Sequence, residues 1–168
     1  MSRILVVFHS RTGTARKIAL GLANAHDWAI GEIRPHRPAQ PFASCLAQAL
    51  LRLRPAIDYQ GPDPAAFDLV VLVSPVWCGT LSGPMRSFLH HYGTRIRAHA
   101  VFMVMGGSGA PAASQAIDRI LRRPARANAA QREAVVAGDG HRPALVEFAR
   151  PLLAEEGTDE STAVRRVA

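Results

Sequence analysis

Lysine is nearly missing from this chain, with Lys17 standing alone among 20 basic residues, the rest of which are arginine. Acidic residues are fewer, 13 in all, and the formal charge is +7. Such a balance permits attraction to anionic ligands, acidic protein partners or nucleic acid, and its sign does not choose among them. Aromatics are scarce at 6%, and none is interleaved with the arginine clusters as a surface that stacks single-stranded bases requires. A nucleic-acid role is therefore not expected. Only two cysteines occur, Cys45 and Cys78, far apart and without Cys-x-x-Cys spacing, which argues against a disulfide framework or a zinc site. There is no apolar run of the roughly 18 residues that a membrane span takes. Met1-Ser2-Arg3 leads straight into a strand rather than into the apolar region of a signal peptide, so the expectation is a cytoplasmic protein with no membrane span.

What is present is a set of buried-strand signals. Ile4-Leu5-Val6-Val7-Phe8 and Leu69-Val70-Val71-Leu72-Val73 are unbroken apolar runs, the pattern of strands covered on both faces of a parallel sheet. Ala100 to Met105 is a third candidate and Glu133-Ala134-Val135-Val136-Ala137 a fourth, with Trp28 to Ile33 as a weaker, edge-like fifth. Helical patterns fill the gaps. Ile18 and Leu22 lie four apart within Thr14 to His26, above a basic face at Arg16 and Lys17. Phe42 to Leu53 reads as the next helix, Met85, Phe88 and Leu89 recur at helical spacing after Pro84, and Ala112 to Leu121 and Pro143 to Ala154 follow. Strands alternating with helices imply right-handed crossovers, hence an α/β protein built as a three-layer, doubly wound sandwich on a five-stranded parallel sheet. One domain is expected over residues 1–156, with Pro35 to Pro41 as a loop and 157–168 as a polar, flexible tail.

In an open parallel sheet, ligands bind beyond the carboxyl ends of the strands, so the turn leaving the first strand is the first place to look. It reads His9-Ser10-Arg11-Thr12-Gly13-Thr14-Ala15. Three hydroxyls, a glycine for tight curvature and the start of a helix with free N–H groups meet the needs of a phosphate pocket. The same residues also make an ordinary turn capped by Ser and Thr. No Lys follows Gly13 as a P-loop requires, and the Gly-x-Gly-x-x-Gly fingerprint of dinucleotide folds is absent. The loop also lacks the nucleophilic Cys of a low-molecular-weight tyrosine phosphatase. A response-regulator receiver needs an acid at the end of the third strand, where Ser74 stands.

Two more loops fall at the same edge: Ser74-Pro75-Val76-Trp77-Cys78-Gly79-Thr80 and Gly106-Gly107-Ser108-Gly109. The combination of Phe8-x-Ser10-x-Thr12-Gly13-Thr14-Ala15, Pro75-x-Trp77-x-Gly79 and Met85-Arg86-x-Phe88-Leu89 resembles the flavodoxin-like superfamily, particularly its FMN-dependent quinone-reductase branch. The resemblance runs from about Ile4 to Leu153 and implies the strand order 2-1-3-4-5. It implies FMN as cofactor, with Ser10, Arg11, Thr12, Gly13, Thr14 and Ala15 at the phosphate. Pro75, Val76, Trp77, Cys78 and Gly79 would flank the ring, and Gly106, Gly107, Ser108 and Gly109 would meet its pyrimidine edge. An aromatic wall and a glycine where backbone comes close are also what a flat apolar ring asks for. No catalytic side chain is implied, since the flavin carries the chemistry.

The implied activity is transfer of electrons or hydride from NAD(P)H or a reductase to a quinone-like or protein acceptor, in a chain that pairs as a homodimer. A non-enzymatic electron carrier and a degenerate flavodoxin fold that binds partners without FMN are the alternatives. Two departures from electron-transfer flavodoxins stand out. The third loop has no Tyr to cover the outer ring face, which favours a substrate stacked there. The charge is basic where those carriers are acidic, and Arg119, Arg122, Arg123 and Arg126 form the densest positive stretch. Cys78 is read as lining, and His9, His90, His91 and His141 are given no catalytic role.

Overall fold

The computed structural model describes residues 3–37, 41, 43, 44, 47 and 51–164. The apolar run Ile4–Phe8 forms β1, buried along its whole length. Helix α1 (Thr14–His26) returns across one face of the sheet and buries Ile18, Ala19 and Leu22. Strand β2 (Ala29–Pro35) pairs parallel to β1, with Leu5 opposite Ala29. Trp28 stands just before it, stacked on His26 at 4.7 Å. On the other side of β1 lies β4 (Leu69–Trp77), parallel, with Ile4 opposite Leu69. Next come β6 (His99–Met105), parallel to β4, and β7 (Asn128–Arg132), parallel to β6.

These five parallel strands lie in the order β2-β1-β4-β6-β7. Among the described residues the sheet itself is seven-stranded rather than five-stranded. Strand β3 (Ile57–Gln60) adds antiparallel to β2, and the two-residue β5 (Thr80–Leu81) folds back antiparallel on β4. In β3 partly buried Ile57 and Tyr59 alternate with exposed Asp58 and Gln60, the habit of an antiparallel edge strand. The Tyr59 ring anchors it against Phe88 and Tyr92 at ring-centre distances of 5.0 and 5.2 Å.

The last strand also corrects the sequence reading. Glu133–Ala137, expected as a strand, is the short helix α4, and the strand is the preceding Asn128–Arg132. Among the described residues β7 has β6 as its one neighbour; alternate residues of β7 face solvent, and it needs no β-branched run. The apolar Val135-Val136 pair instead buries Val136 beside α1, where Lys17 Nζ donates to the Val136 carbonyl at 3.2 Å. Of the expected helix Phe42 to Leu53, half the residues, Cys45 among them, lie outside the described ones; Ala43, Ser44 and Ala47 are helical, and Leu51 and Arg52 form a turn.

Strand residues alternate between two cores. Val6, Phe8, Val71, Val73, Phe102 and Val104 pack beneath α1 and α5 (Arg142–Val164), with Phe148 edge-on to Phe102. Leu5, Val7, Leu72, Val101 and Met103 pack beneath α2 (Gly83–Tyr92) and α3 (Ala110–Leu121). Helices on both faces leave the carboxyl ends of the strands as the open rim. Among the described residues no helix is long and apolar enough to cross a membrane.

Candidate functional site

The loops leaving β1, β4 and β6 meet at that rim around a cleft of about 610 Å³, lined by Arg11, Thr12, Val76, Trp77, Cys78, Gly79, Gly106, Gly107, Ser108 and Glu133. The volume falls within the range of roughly 300–1,000 Å³ typical of small-molecule sites.

The first loop is organised by its own polar groups. The Gly13 N–H donates to Ser10 Oγ at 3.1 Å, and the Thr12 and Thr14 hydroxyls lie 3.1 Å apart. Gly13 caps α1 at φ 91°, a left-handed conformation without penalty for glycine. The first bond into the helix runs from the Lys17 N–H to the Gly13 carbonyl. The N–H groups of Thr14, Ala15 and Arg16 therefore precede the helical ladder, and no side chain caps them. No acid occupies the first turn, so the positive end of the helix is uncompensated by its own residues. Ala15 itself turns into the core.

The second loop is a tight hairpin. Val76 pairs with Leu81 and Trp77 with Thr80, leaving Cys78 and Gly79 as the two-residue turn. Both have positive φ, 46° and 69°, as a turn that follows the twist of its flanking strands demands. Trp77 is thereby raised, half-buried, as one wall of the cleft, and Cys78 is exposed at the tip. Pro75 is buried within β4 and does not line the cleft.

The third loop supports the second. A Cβ on Gly109 would lie 2.2 Å from the Gly79 Cα, so the two backbones touch at these glycines. Gly106, Gly107 and Ser108 are exposed on the cleft wall, with Gly109 behind them as the cap of α3.

Two residues given no site role from the sequence belong to this region. Glu133, half-buried, begins α4 at the end of β7 and accepts a hydrogen bond from Thr12 Oγ1 at 3.4 Å. Once the last strand is placed at Asn128–Arg132, the residue after it necessarily reaches the same rim as the other loops. His9 is buried behind the first loop, its ring edge-on to Trp77 with centres 5.7 Å apart. The Ile33 carbonyl, 3.2 Å away, can only accept, so Nδ1 carries the proton and Nε2 is left as a buried acceptor without a partner.

Burial pushes the His9 imidazole below its ordinary 6.5, against the opposing pull of the Ile33 carbonyl and the Glu32 charge. His99, whose Nε2 lies 2.8 Å from Asp118 Oδ1, is lowered for the same first reason, with Asp118 again opposing. In both cases the unfolded chain takes up the proton more readily than the folded one. Their contribution to stability is present above pH 6.5 and is lost as pH falls below it. Urea unfolding midpoints are expected to fall from pH 7 to pH 5, and His9→Gln is expected to flatten that slope. A midpoint that rises toward pH 5 would contradict neutral buried imidazoles.

No protein-family model matches this sequence, and no match was found among curated proteins. Solved structures do match. A flavoprotein of Lactobacillus acidophilus NCFM, in complex with FMN, superposes with a TM-score of 0.70 at 18% identity, over 82% of this chain and 98% of its own. The fold is flavodoxin-like. A Trp repressor binding protein of Bacillus subtilis matches with a TM-score of 0.57 at 13% identity, over 88% of this chain and 97% of its own. A flavodoxin from the domain Archaea gives 0.51 at 13% identity, over 88% and 96%. Within this flavodoxin-like frame, the strand order β2-β1-β4-β6-β7 sets the reversal of winding between β1 and β4, and the cleft opens at that switch point.

Proposed function

We propose that this chain binds FMN in the cleft at the carboxyl ends of β1, β4 and β6 and acts as an oxidoreductase. Electrons or hydride would pass from NAD(P)H or a reductase to a quinone-like or protein acceptor. The observation that carries the reading is the meeting at one cleft of an uncapped helix N-terminus and a raised indole wall. The first suits a phosphate monoester and the second a flat ring. A structural neighbour is itself an FMN complex, which supports the choice of ligand.

The residues fit that group. Ser10, Thr12 and Thr14 would offer hydroxyls to the phosphate alongside the N–H groups of Thr14, Ala15 and Arg16, and Arg11 would add charge. Trp77 and Val76 would flank the ring, Cys78 and Gly79 would border its edge, and the exposed backbone of Gly106 to Ser108 would face its polar rim. FMN, when bound, supplies the redox chemistry, while the chain orients it and shields one face.

Glu133 works against the phosphate, since its carboxylate reaches the Thr12 hydroxyl that the phosphate would use. Removing that charge should strengthen FMN binding. Glu133→Gln is expected to lower the FMN dissociation constant about three- to tenfold, the worth of one partly solvated like-charge contact. The measurement is a titration of flavin fluorescence, which bound protein quenches. A weaker complex in Glu133→Gln would show that the carboxylate supports the loop more than it opposes the ligand.

The reading as a whole is tested by the same titration on the unaltered chain, followed by NAD(P)H oxidation with a quinone. Quenching at one flavin per chain with direct turnover is the expected result. Turnover that needs an added reductase would identify a carrier, and no quenching at all would reject both.

A further inference from the structure

We propose that Arg52, Arg54, Arg86 and His90 form a second anion site, separate from the FMN cleft, that takes a phosphate group of a small molecule. These side chains, with Ile120 of α3, line a depression of about 300 Å³. The three guanidiniums converge where, among the described residues, no acid neutralises them. No Asp or Glu occurs in residues 33–57 or 69–117, the stretches that supply all four basic side chains. The acid on the facing helix α3, Asp118, is engaged by His99 at 2.8 Å. Among the described residues no carboxylate pairs with Arg52, Arg54 or Arg86.

Arg86 lies at the centre of this cluster. It is half-buried, and its Nη2 donates to the Leu81 carbonyl at 3.1 Å and toward Thr80 Oγ1 at 3.4 Å. Its Nε is fully buried with no acceptor. A buried N–H on a charged group without a partner is costly, and so is crowding like charges. Burial, then the charges of Arg52 and Arg54, push the Arg86 guanidinium below its usual range. An oxyanion in the depression offsets the crowding of these like charges.

The chemistry selects the ligand. A single carboxylate is satisfied by one arginine fork, whereas the two exposed forks of Arg52 and Arg54, the Arg86 charge behind them and an imidazole match the several oxygens and higher charge of a phosphate or diphosphate. The depression is concave and has no aromatic lining to stack bases, which suits a small phosphorylated molecule rather than a nucleic-acid strand. Two arginines of α3 and the loop after it are spent differently. Arg119 Nε donates to the Gln115 carbonyl and Arg123 to the carbonyls of Leu121 and Arg97.

Calorimetric titration of the full chain with inorganic pyrophosphate, with and without saturating FMN, tests the site. Pyrophosphate is expected to bind the FMN-saturated chain at one site, and Arg52→Gln/Arg54→Gln is expected to weaken it roughly tenfold or more. Arg119→Gln is expected to leave it unchanged. The double variant alters exposed side chains only, so its fold can be verified independently by its unfolding midpoint. Parallel titrations with NADPH, NADH and inorganic phosphate separate the sources. Tighter binding of NADPH than NADH, lost in the double variant, would assign the site to the extra phosphate of a nicotinamide donor. Binding of the inorganic anions alone would assign it to another phosphate ester. Absence of pyrophosphate binding, or equal binding by the double variant, would overturn the proposal. Should FMN fail to bind, the comparison between the chain and its double variant still reads this site, so the two readings can fail separately.

Discussion

Gly109→Ala is expected to lower the melting temperature by about 6–12 °C, the shift that a loss of about 3 kcal/mol produces in a domain of this size. The reason is a collision of backbones. The added Cβ would sit 2.2 Å from Gly79 Cα, 2.9 Å from its carbonyl carbon and 3.1 Å from its oxygen. None of these atoms belongs to a side chain that can swing aside. Gly79 is held in a two-residue turn whose flanks are pinned by the pairs Val76–Leu81 and Trp77–Thr80. Gly109 also has φ 101°, and a left-handed conformation costs a non-glycine residue about 1–2 kcal/mol. Overpacking adds about 1–3 kcal/mol more.

Gly79→Ala supplies the control from the other side of the same contact. A Cβ there meets its nearest neighbour, the Gly109 Cα, at 4.0 Å, so only the cost of φ 69° remains, about 1–2 kcal/mol. Gly109→Ala should therefore be clearly the more damaging of the two, in stability and in flavin affinity, because the displaced hairpin carries Trp77. Equal melting temperatures for the two variants would mean that the loops do not touch as the structure places them.

The same pair of glycines marks the boundary of what the sequence makes legible. The runs Ile4–Phe8 and Leu69–Val73 are buried on both faces, and for such strands burial leaves a continuous apolar signature. Their ends locate the rim of the sheet, and with it the loops at Ser10, Trp77 and Gly106. Edge strands leave a weaker mark. Asn128–Arg132 is half-exposed and nearly devoid of branched residues, while the apolar Val135-Val136 beside it mimics a strand and is helical. Misplacing that strand by five residues hides Glu133, because a residue inside a strand does not reach the rim. Antiparallel β3 is hidden for a related reason, its four residues being too short to carry a periodic signal. The Gly79–Gly109 contact has no local signature at all, since it arises where β4 and β6 lie side by side, with Pro75 opposite Val104. Convergence of the arginines around Arg86 is hidden likewise, although the acid-free stretches that permit it are visible in the sequence.

Trp77→Ala is expected to weaken FMN about tenfold to a hundredfold, as removal of one stacking aromatic costs about 1–3 kcal/mol. The indole is the wall of the cleft best suited to stacking. Val76 is almost wholly buried, and the opposite wall is the exposed backbone of Gly106, Gly107 and Ser108. That third loop holds no tyrosine, and among the described residues lining the cleft Trp77 is the one aromatic, so the stacking energy of a bound ring would rest on it. Its orientation is set from behind by His9, which meets the ring at 81°. Because burial pushes the His9 imidazole below its ordinary 6.5, that support at pH 7 is a packing contact rather than a cation–π attraction. Trp77→Phe retains a flat apolar face and should recover most of the affinity, whereas Trp77→Leu, similarly apolar but not flat, should not. If leucine restored binding as well as phenylalanine does, the residue would matter for burial alone and the ring would have to be held elsewhere. Since Trp77 lies outside both cores, its removal should cost little stability, and loss of flavin with an unchanged unfolding midpoint separates a ligand wall from a structural anchor.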